Sequence, residues 1–444
     1  LLPDASAIGL AAPWLLVALR VAQGFAIGGE YGGAAIYVAE HARDGHRGAA
    51  TGWIQLSASI GLILALGVIL LAQRAIGDTA FGDWGWRIPF LLSAILLGIS
   101  LWIRLRLDES PLFQRIREEG RLARAPLREA LLEPANLKTI LIVLIGILMG
   151  QGVVWYLAQF YTLFFLQHVL KLDLAHTTAF IMEVTAITLP FYMFFAWLSD
   201  RIGRKPVMLA GLLVAALATF PVFHLLTESV NPALAGAAER APVSVIALPV
   251  DCSLQFNLTG TAKYVTSCDI AKAALTNAGI PYRNETPPEG SFARVRVGAA
   301  EIASPDGRNM NPAELAAAKK DFALRLQRAL NAAGYPAKAD PGAVNTGRTL
   351  LLLVLLGVAA AALYAPQAAA LVELFPTRIR YTALSLPYHV GVGWFGGFLP
   401  ATAFAIVAAT GNIYAGLWYP VIIAALGFFV SLLLLPETYR RTID

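Results

Sequence analysis

Four ionisable residues lie within otherwise apolar stretches of this chain: Arg20, Glu30, Glu183 and His389. A charge inside a membrane is costly, so one that is retained usually faces a cavity and pairs with another group. A carboxylate can switch its protonation state when burial and a nearby cation act on its pKa in opposite directions. Glu30 and Glu183 are therefore candidates for reversible proton binding, and Arg20 would add positive potential to a cavity. His389 is a candidate proton relay, because imidazole titrates near neutral pH.

Each of these residues also has a structural interpretation. Glu30 lies among glycines, where a single hydrogen bond could serve helix packing. Arg20 precedes Glu30 by ten residues, which places the two near opposite ends of one helix, about 15 Å apart. One arginine can serve structure as well as binding, and His389 fits a hydrogen-bonded structural histidine equally well.

Polar and aromatic residues in the same stretches would line a cavity for a polar solute, since apolar side chains face lipid. Gln151, Trp155 and Gln159 recur at every fourth position and share one helix face. Either a cavity or interhelical hydrogen bonding explains such a stripe. Tyr161 and Trp394 also suit the membrane interface. The full cavity set is Gln23, Gln55, Gln151, Trp155, Tyr156, Gln159, Tyr161, Tyr364, Gln367, Tyr388 and Trp394.

The composition is that of a polytopic membrane protein. Of 444 residues, 57% are hydrophobic and 14% are charged, and the mean hydropathy is +0.62. The net charge of +5 comes from basic residues between apolar spans, which form no continuous basic face for nucleic acid. The sequence has only two cysteines, so no metal site is predicted. It contains no catalytic or phosphate-binding motif, so no cofactor and no enzymatic activity are predicted.

A helix needs about 20 apolar residues to cross the membrane, and nine stretches of the chain qualify. They cover residues 13–40, 50–73, 85–105, 138–165, 176–199, 206–226, 348–375, 382–408 and 413–435.

Lysine and arginine collect in alternate loops, which the positive-inside rule assigns to the cytoplasm. This orientation places the C-terminus in the cytoplasm, and residues 1–12 and 227–347 in the periplasm. The cytoplasmic set is Arg43 and Arg47, residues 104–138, Arg201, Arg204 and Lys205, Arg378 and Arg380, and Arg440 and Arg441.

Residues 227–347 differ from the rest because they are polar and contain both strand-like and helix-like runs. We interpret them as a small α/β periplasmic domain inserted between two membrane helices. Cys252 and Cys268 fall within it, and an oxidising compartment would permit a disulfide, although spacing alone leaves the geometry open. A solute-binding lid, a docking domain for a periplasmic partner and a neutral insertion all fit this composition.

The chain contains an internal repeat. Glu40 precedes Arg47 by seven residues, Glu373 precedes Arg380 by the same distance, and two spans follow each pair. Three spans precede the second copy, so three more are expected before the first, and the start at Leu1 is interpreted as a truncation. Parallel halves of this kind predict twelve helices, of which nine are present. The predicted units are residues 1–105 (end of the N-terminal half), 106–137 (cytoplasmic loop), 138–226 (start of the C-terminal half), 227–347 (insert) and 348–444 (last three spans).

Five motifs, in residues 20–34 (followed by 39–41 and 47–48), 83–90, 109–113, 198–206 and 373–381, together resemble the metabolite:proton symporter branch of the major facilitator superfamily. Its members carry solutes such as proline and betaine, 2-oxoglutarate, shikimate or citrate. The resemblance runs through every membrane span but does not cover 227–347. It implies an all-α major facilitator fold and proton-coupled symport of a small polar solute by alternating access. A monomer in the bacterial inner membrane is expected, with solute, protons and lipid as its partners, and Arg20 favours a carboxylate or zwitterion.

By the same resemblance, the turn at residues 200–205 is a gating loop, in which Asp200 pairs across the two halves and Gly203 permits the turn. Glu40 with Arg47, and Glu373 with Arg380, are expected to form matching cytoplasmic charge clusters. A positive-inside anchor is compatible with both roles. The gating set is Glu40, Arg47, Asp200, Arg201, Gly203, Arg204, Lys205, Glu373 and Arg380.

A membrane sensor with a periplasmic ligand-binding domain is the alternative function. Such a sensor would normally carry a cytoplasmic output domain. The longest predicted cytoplasmic segment, residues 104–138, is too short for one.

Overall fold

A computed structural model of the chain describes residues 3, 5–27, 29–106, 111–120, 123–256, 263–287 and 292–443. Eight helices in this part are long and apolar enough to cross a membrane: Arg47–Ile76, Gly85–Ile103, Pro134–Val169, Leu174–Ile202, Arg204–Val230, Thr346–Leu374, Arg380–Thr410 and Ala415–Leu434. Short helical turns cover Ala5–Ile8 and Asp78–Asp83. The longer helices are α1 (Ala11–Ile27), α2 (Glu30–His41), α3 (Arg47–Ile76), α4 (Gly85–Ile103), α5 (Pro111–Glu118), α6 (Pro126–Leu132), α7 (Pro134–Val169), α8 (Leu174–Ile202), α9 (Arg204–Val230), α10 (Pro232–Arg240), α11 (Ser267–Asn277), α12 (Pro312–Ala332), α13 (Thr346–Leu374), α14 (Arg380–Thr410) and α15 (Ala415–Leu434).

The first predicted span, residues 13–40, is not one continuous helix. It consists of α1 and α2, with Gly29 in a turn between them, while residue 28 lies outside the described part. Glycine is a poor helix former, which makes this glycine-rich stretch easy to interrupt. The carbonyl of Gly29 accepts the first hydrogen bond of α2 from the Gly33 amide at 3.2 Å and a second from the Tyr381 hydroxyl at 2.6 Å. Arg20 and Glu30 consequently lie on different helices, which corrects their expected placement on one.

The membrane helices pack most closely where glycines face a neighbouring backbone. Gly211 of α9 faces the Ala359 carbonyl of α13, and Gly152 of α7 faces Gly391 of α14, with no room for a side chain at either glycine. Such small residues let membrane helices approach and gain van der Waals contact. Near this contact, α7 and α14 contain π-helical turns at Leu157–Tyr161 and His389–Gly396. The best-buried helices, α7 and α13, therefore form the core. We call residues 1–105 the N-terminal half and residues 138–444 the C-terminal half.

Residues 231–345, here called the soluble segment, contain a four-stranded sheet with the strand order β2-β1-β3-β4. β1 pairs parallel with β2 and antiparallel with β3, and β3 pairs antiparallel with β4. A disulfide joins Cys252 to Cys268 with their Cα atoms 5.2 Å apart. The strands are β1 (Val243–Ile246), β2 (Arg283–Glu285), β3 (Arg294–Val297) and β4 (Ala300–Ala303).

The soluble segment is bound to the ends of two membrane helices. The Tyr282 hydroxyl and the Lys272 ammonium donate to carbonyls at the C-terminus of α14, the latter to Ala409 at 3.3 Å. Burial lowers the pKa of Lys272, yet a cation at this position complements the negative end of a helix. After α7, Lys171 donates to the Asn277 carbonyl at 2.9 Å, and its own carbonyl accepts from the Ala339 amide at 3.0 Å. These bonds fix the sheet against the C-terminal half.

The disulfide should stabilise the soluble segment. It closes a loop with a sequence separation of 16 residues, for which chain entropy contributes about 3 kcal/mol. Replacing both cysteines by serine should therefore lower the free energy of unfolding of this segment by about that amount. Amide hydrogen exchange in β1 and α11 of the full chain measures the change, and exchange in α13 is the internal control. Unchanged protection of β1 in the double variant would contradict this account.

Candidate functional site

A buried arginine holds together one end of the helix bundle, here called the charged end. The guanidinium of Arg204, at the start of α9, donates to Asp200 at 2.6 Å, to Ser199 Oγ at 2.8 Å and to Glu373 at 3.0 Å. The side chains of Arg204 and Glu373 are 1% and 0% exposed. These charge-assisted hydrogen bonds of the Arg204 guanidinium offset the free-energy cost of removing the ions from water. We call these four residues the charge network.

Asp200 extends the charge network to the N-terminal half. Its two carboxylate oxygens accept hydrogen bonds from the backbone amides of Gly48 and Ala49, each at 2.8 Å. These amides belong to the first turn of α3, where they lack partners within the helix and the helix dipole is positive. One carboxylate thus binds a helix terminus of one half and an arginine of the other.

A second contact between the halves joins Arg380 to Glu40 at 2.5 Å. Arg380 also donates to the Phe375 carbonyl at 2.9 Å. The ion pairs expected within each repeat copy are therefore replaced: Glu40 pairs with Arg380 of the other copy, and Glu373 pairs with Arg204. Arg47 bonds to Asp44 and to the carbonyl of Arg441.

The segment after α15 closes over the charged end. Glu437 accepts from the backbone amides of Arg204 and Lys205 at 2.9 and 3.0 Å. Gly203 has φ 108°, a conformation that favours glycine, and this turn presents both amides. The Lys205 ammonium donates to the carbonyls of Leu432 and Leu435. The sequence analysis assigned no role to Glu437.

Arg201 lies outside the charge network. Its guanidinium stacks over the ring of Trp197 at 4.1 Å, which is a cation–π contact. Arg201 is exposed, which fits a positive-inside anchor at the membrane surface better than a role in the gating loop.

Deeper in the bundle, aromatic rings from both halves meet. Tyr31 stacks on Tyr388 with ring centroids 3.9 Å apart, and Gln55 donates to the Tyr31 hydroxyl at 2.7 Å. The hydroxyls of Tyr388 and Tyr364 lie 3.5 Å apart, and Trp155 lies beside Tyr364. Tyr156 is next to Trp155, and Tyr192 packs on Tyr364. We call these seven residues the aromatic cluster; Tyr31 and Tyr192 were missed, although Tyr31 directly follows Glu30.

Several amide groups in the same interior have no protein partner. They are Oε1 of Gln55, Oε1 of Gln151, and both amide atoms of Gln367. Buried polar atoms are normally hydrogen-bonded, so these atoms are available to a polar solute or to water. Gln159 differs because it accepts from Thr185 at 3.2 Å.

Two residues predicted for the cavity lie elsewhere. Trp394 is 65% exposed and packs edge-on against Phe398, as expected of a ring that faces lipid. Tyr161 is fully buried between Phe165, Phe223 and Phe404. Trp394 is therefore removed from the cavity set, and Tyr161 belongs to the packed core of the C-terminal half.

The ionisable candidates do not converge on one point. Arg20 is exposed on α1 and donates to Gln23 at 2.9 Å. Glu183 is exposed on α8 along a face that includes Ile187 and Phe194. His389 is half-buried with its ring edge-on to Tyr388.

Glu30 is exposed, as Glu183 is, but it borders a cavity. It begins α2 and lines a cavity of about 720 Å³ with residues of α2, α4 and Tyr381. Among the described residues, no three His, Cys, Asp or Glu side chains gather as a metal site.

Comparisons with known proteins agree with this architecture. A family model described as Major Facilitator Superfamily matches residues 5–247. The chain is 34% identical over 239 residues to a proline/betaine transporter of Escherichia coli (strain K12), covering 52% of this chain and 47% of the relative. It is 37% identical over 231 residues to a shikimate transporter of the same organism, covering 51% of each. A glycine betaine/proline/ectoine/pipecolic acid transporter of Dickeya dadantii (strain 3937) is 33% identical over 237 residues, or 52% of this chain and 47% of the relative. The chain spans about half the length of the curated relatives it matches.

Enlarging Gly48 should open the charged end. A side chain there would collide with Arg204, Ser199 and the Ala196 carbonyl, and overpacking of this kind costs about 1–3 kcal/mol. In a Thr51→Cys background, Gly48→Leu should therefore raise the rate of maleimide labelling about fivefold or more. Thr51 is fully buried, and the described cysteines are disulfide-bonded. Gly61→Leu on the same helix is the control, since nothing lies within 4 Å of a Cβ there. Equal labelling of both variants would refute a closed interface at Gly48.

Proposed function

This chain belongs to the Major Facilitator Superfamily, and we propose that it is a proton-coupled secondary transporter. In this proposal a small zwitterion or carboxylate crosses the bacterial inner membrane by alternating access. The observation that carries the proposal is the contact between the two halves. Charged side chains close this contact at the charged end, where Asp200 binds two amides of α3 and Arg380 pairs with Glu40. Deeper in the bundle, the contact contains unpaired polar atoms.

The charged end corresponds to the cytoplasmic gate in this proposal. Arg201 lies in the last turn of α8, and Arg204 and Lys205 begin α9 there, as the positive-inside rule favours for a cytoplasmic loop. The soluble segment is attached at the opposite ends of the helices and is assigned to the periplasm. The structure then represents a state that is closed to the cytoplasm. Movement of the halves that breaks the Asp200 and Glu40 contacts would open this gate.

The aromatic cluster supports the assignment of the solute class. Tyrosine and tryptophan faces attract ammonium groups, the unpaired Oε1 atoms of Gln55 and Gln151 can accept from an ammonium, and the unpaired Nε2 of Gln367 can donate to a carboxylate. The relatives are named for proline, betaine and shikimate, and proline and betaine are zwitterions while shikimate is a carboxylate. A solute with a carboxylate fits both the relatives and the cluster.

Glu30 is the residue we assign to proton binding, with Glu183 as the second candidate. Glu30 lines a cavity at the interruption between α1 and α2. Interrupted helices in transporters often present their ends to the coupling ion and the substrate. Glu183 instead shares its helix face with exposed apolar side chains.

Uptake into proteoliposomes tests the function directly. Labelled L-proline and shikimate are offered in parallel, with the external solution acidic relative to the lumen. Concentrative uptake that a protonophore abolishes is expected for at least one of them. Uptake that survives the protonophore would contradict proton coupling, and uptake of neither solute would contradict the assigned solute class.

Replacing Glu30 by glutamine should uncouple transport from protons. Glutamine keeps the size and hydrogen bonding of the side chain but cannot bind and release a proton. We therefore expect uptake driven by the pH gradient to fall to background, while exchange of internal for external solute continues. Glu183→Gln is the matched variant and should retain gradient-driven uptake. Loss in Glu183→Gln alone would transfer the role to Glu183, and full coupling in both variants would refute both assignments.

A further inference from the structure

A second cavity lies between the soluble segment and the membrane helices, away from the charged end and the aromatic cluster. Its volume is about 460 Å³, within the range of small-molecule sites. It is bordered by the end of α9, by α10, by the chain at residues 281–283, and by the turn between α14 and α15. We call it the junction pocket. Its polar and aromatic lining includes His224, Glu228, Glu239, Tyr282, Arg283 and Tyr414.

The junction pocket exists because the soluble segment is docked on the helices. The Tyr282 amide donates to the Gly411 carbonyl at 2.8 Å. Gly411 has φ 78° and is so close to Tyr282 that a Cβ would not fit. Asn284 adds hydrogen bonds to the carbonyls of Ala409 and Thr410 at 3.1 and 3.0 Å. These contacts fix the walls relative to each other, which reduces the entropic cost of binding a ligand.

The pocket presents one carboxylate and one guanidinium that have no hydrogen-bond or ion-pair partner among the described side chains. They are Glu239 on α10 and Arg283 at the start of β2. The other acidic lining residue, Glu228, is already paired with Arg348 at 3.1 Å. Both side chains are exposed and line the same pocket on separate elements, so they are accessible to a ligand that carries both charges.

An aromatic wall completes the pocket. The rings of His224 and Tyr414 stack with centroids 3.7 Å apart. The Tyr414 hydroxyl donates to Thr227 Oγ1 at 2.9 Å, which holds the ring in place. The wall offers an apolar surface to the ligand's carbon atoms.

We propose that the junction pocket is a binding site for a small zwitterion, with its ammonium at Glu239 and its carboxylate at Arg283. This site is separate from the transport pathway between the halves. A bound ligand contacts α9, α10 and the soluble segment together, so it stabilises the docked arrangement. Solute in the periplasm would thereby restrict the movement of α14, because the soluble segment is hydrogen-bonded to the C-terminus of that helix.

Hydrogen exchange on the full chain in nanodiscs tests the site with three probes that share a five-membered ring. L-proline carries both charges, pyrrolidine carries only the positive one, and cyclopentanecarboxylate only the negative one. We expect L-proline to slow exchange at residues 282–287 and 409–414, and the two single-charge probes to be at least about tenfold weaker, which corresponds to the loss of one ion pair. No slowing by L-proline would overturn the proposal, and equal slowing by pyrrolidine would overturn the zwitterion assignment.

Variants connect the effect to the two charges. Glu239→Gln and Arg283→Gln should each weaken the L-proline effect about tenfold or more, whereas Arg328→Gln, an exposed arginine on α12, should not. Full protection in both pocket variants would place the ligand elsewhere and overturn the proposal. Glu30→Gln separates this site from the transport function, because it should lose gradient-driven uptake and keep the slowed exchange.

Discussion

Closure of the contact between the halves depends on the buried guanidinium of Arg204. Burying one ion costs several kcal/mol, and Asp200, Glu373 and Ser199 offset this cost within the C-terminal half. Asp200 also accepts two amides from α3 of the other half. In the proposed transport cycle, Asp200 would keep Arg204 when the halves separate and would replace the two amides with water. The closed and open states would then differ by an exchange of hydrogen-bond partners, which allows a small free-energy difference between them.

The two ends of the bundle are stabilised in different ways. Charges join the halves at one end, whereas at the other the soluble segment binds Lys171 after α7 and the C-terminus of α14. Because the soluble segment contacts both places, it links the helices of the C-terminal half to one another. Close glycine contacts, such as Gly211 against α13, have the same effect inside the bundle. These bonds favour movement of the C-terminal half as a rigid unit, with most of the change at the polar contact between halves.

Hydropathy alone predicted most of the helices, since residues 50–73, 176–199 and 206–226 match α3, α8 and α9 to within a few residues. It failed at residues 13–40 because it counts apolar residues and does not weigh how easily the glycine-rich stretch around Gly29 interrupts a helix. The repeat indicated which charges matter but not how they pair, because pairing depends on how the halves pack. Trp394 was misplaced for a similar reason: nothing local to it specifies which face of α14 meets lipid.

The helix α2 connects the proposed proton site to the movement of the halves. Two consecutive residues of α14 hold it at both ends: Arg380 binds Glu40 near its C-terminus, and Tyr381 binds the carbonyl of Gly29 just before its N-terminus. Glu30 is adjacent to the second of these contacts and shares a cavity with Tyr381. A change of charge on Glu30 would therefore alter the electrostatic environment of the contact between Tyr381 and Gly29. Movement of α14 away from α2 would break the contacts at both ends of α2 together. In the proposed transport cycle such an arrangement would couple proton binding to opening without a long relay, because Glu30 and Tyr381 of α14 line the same cavity.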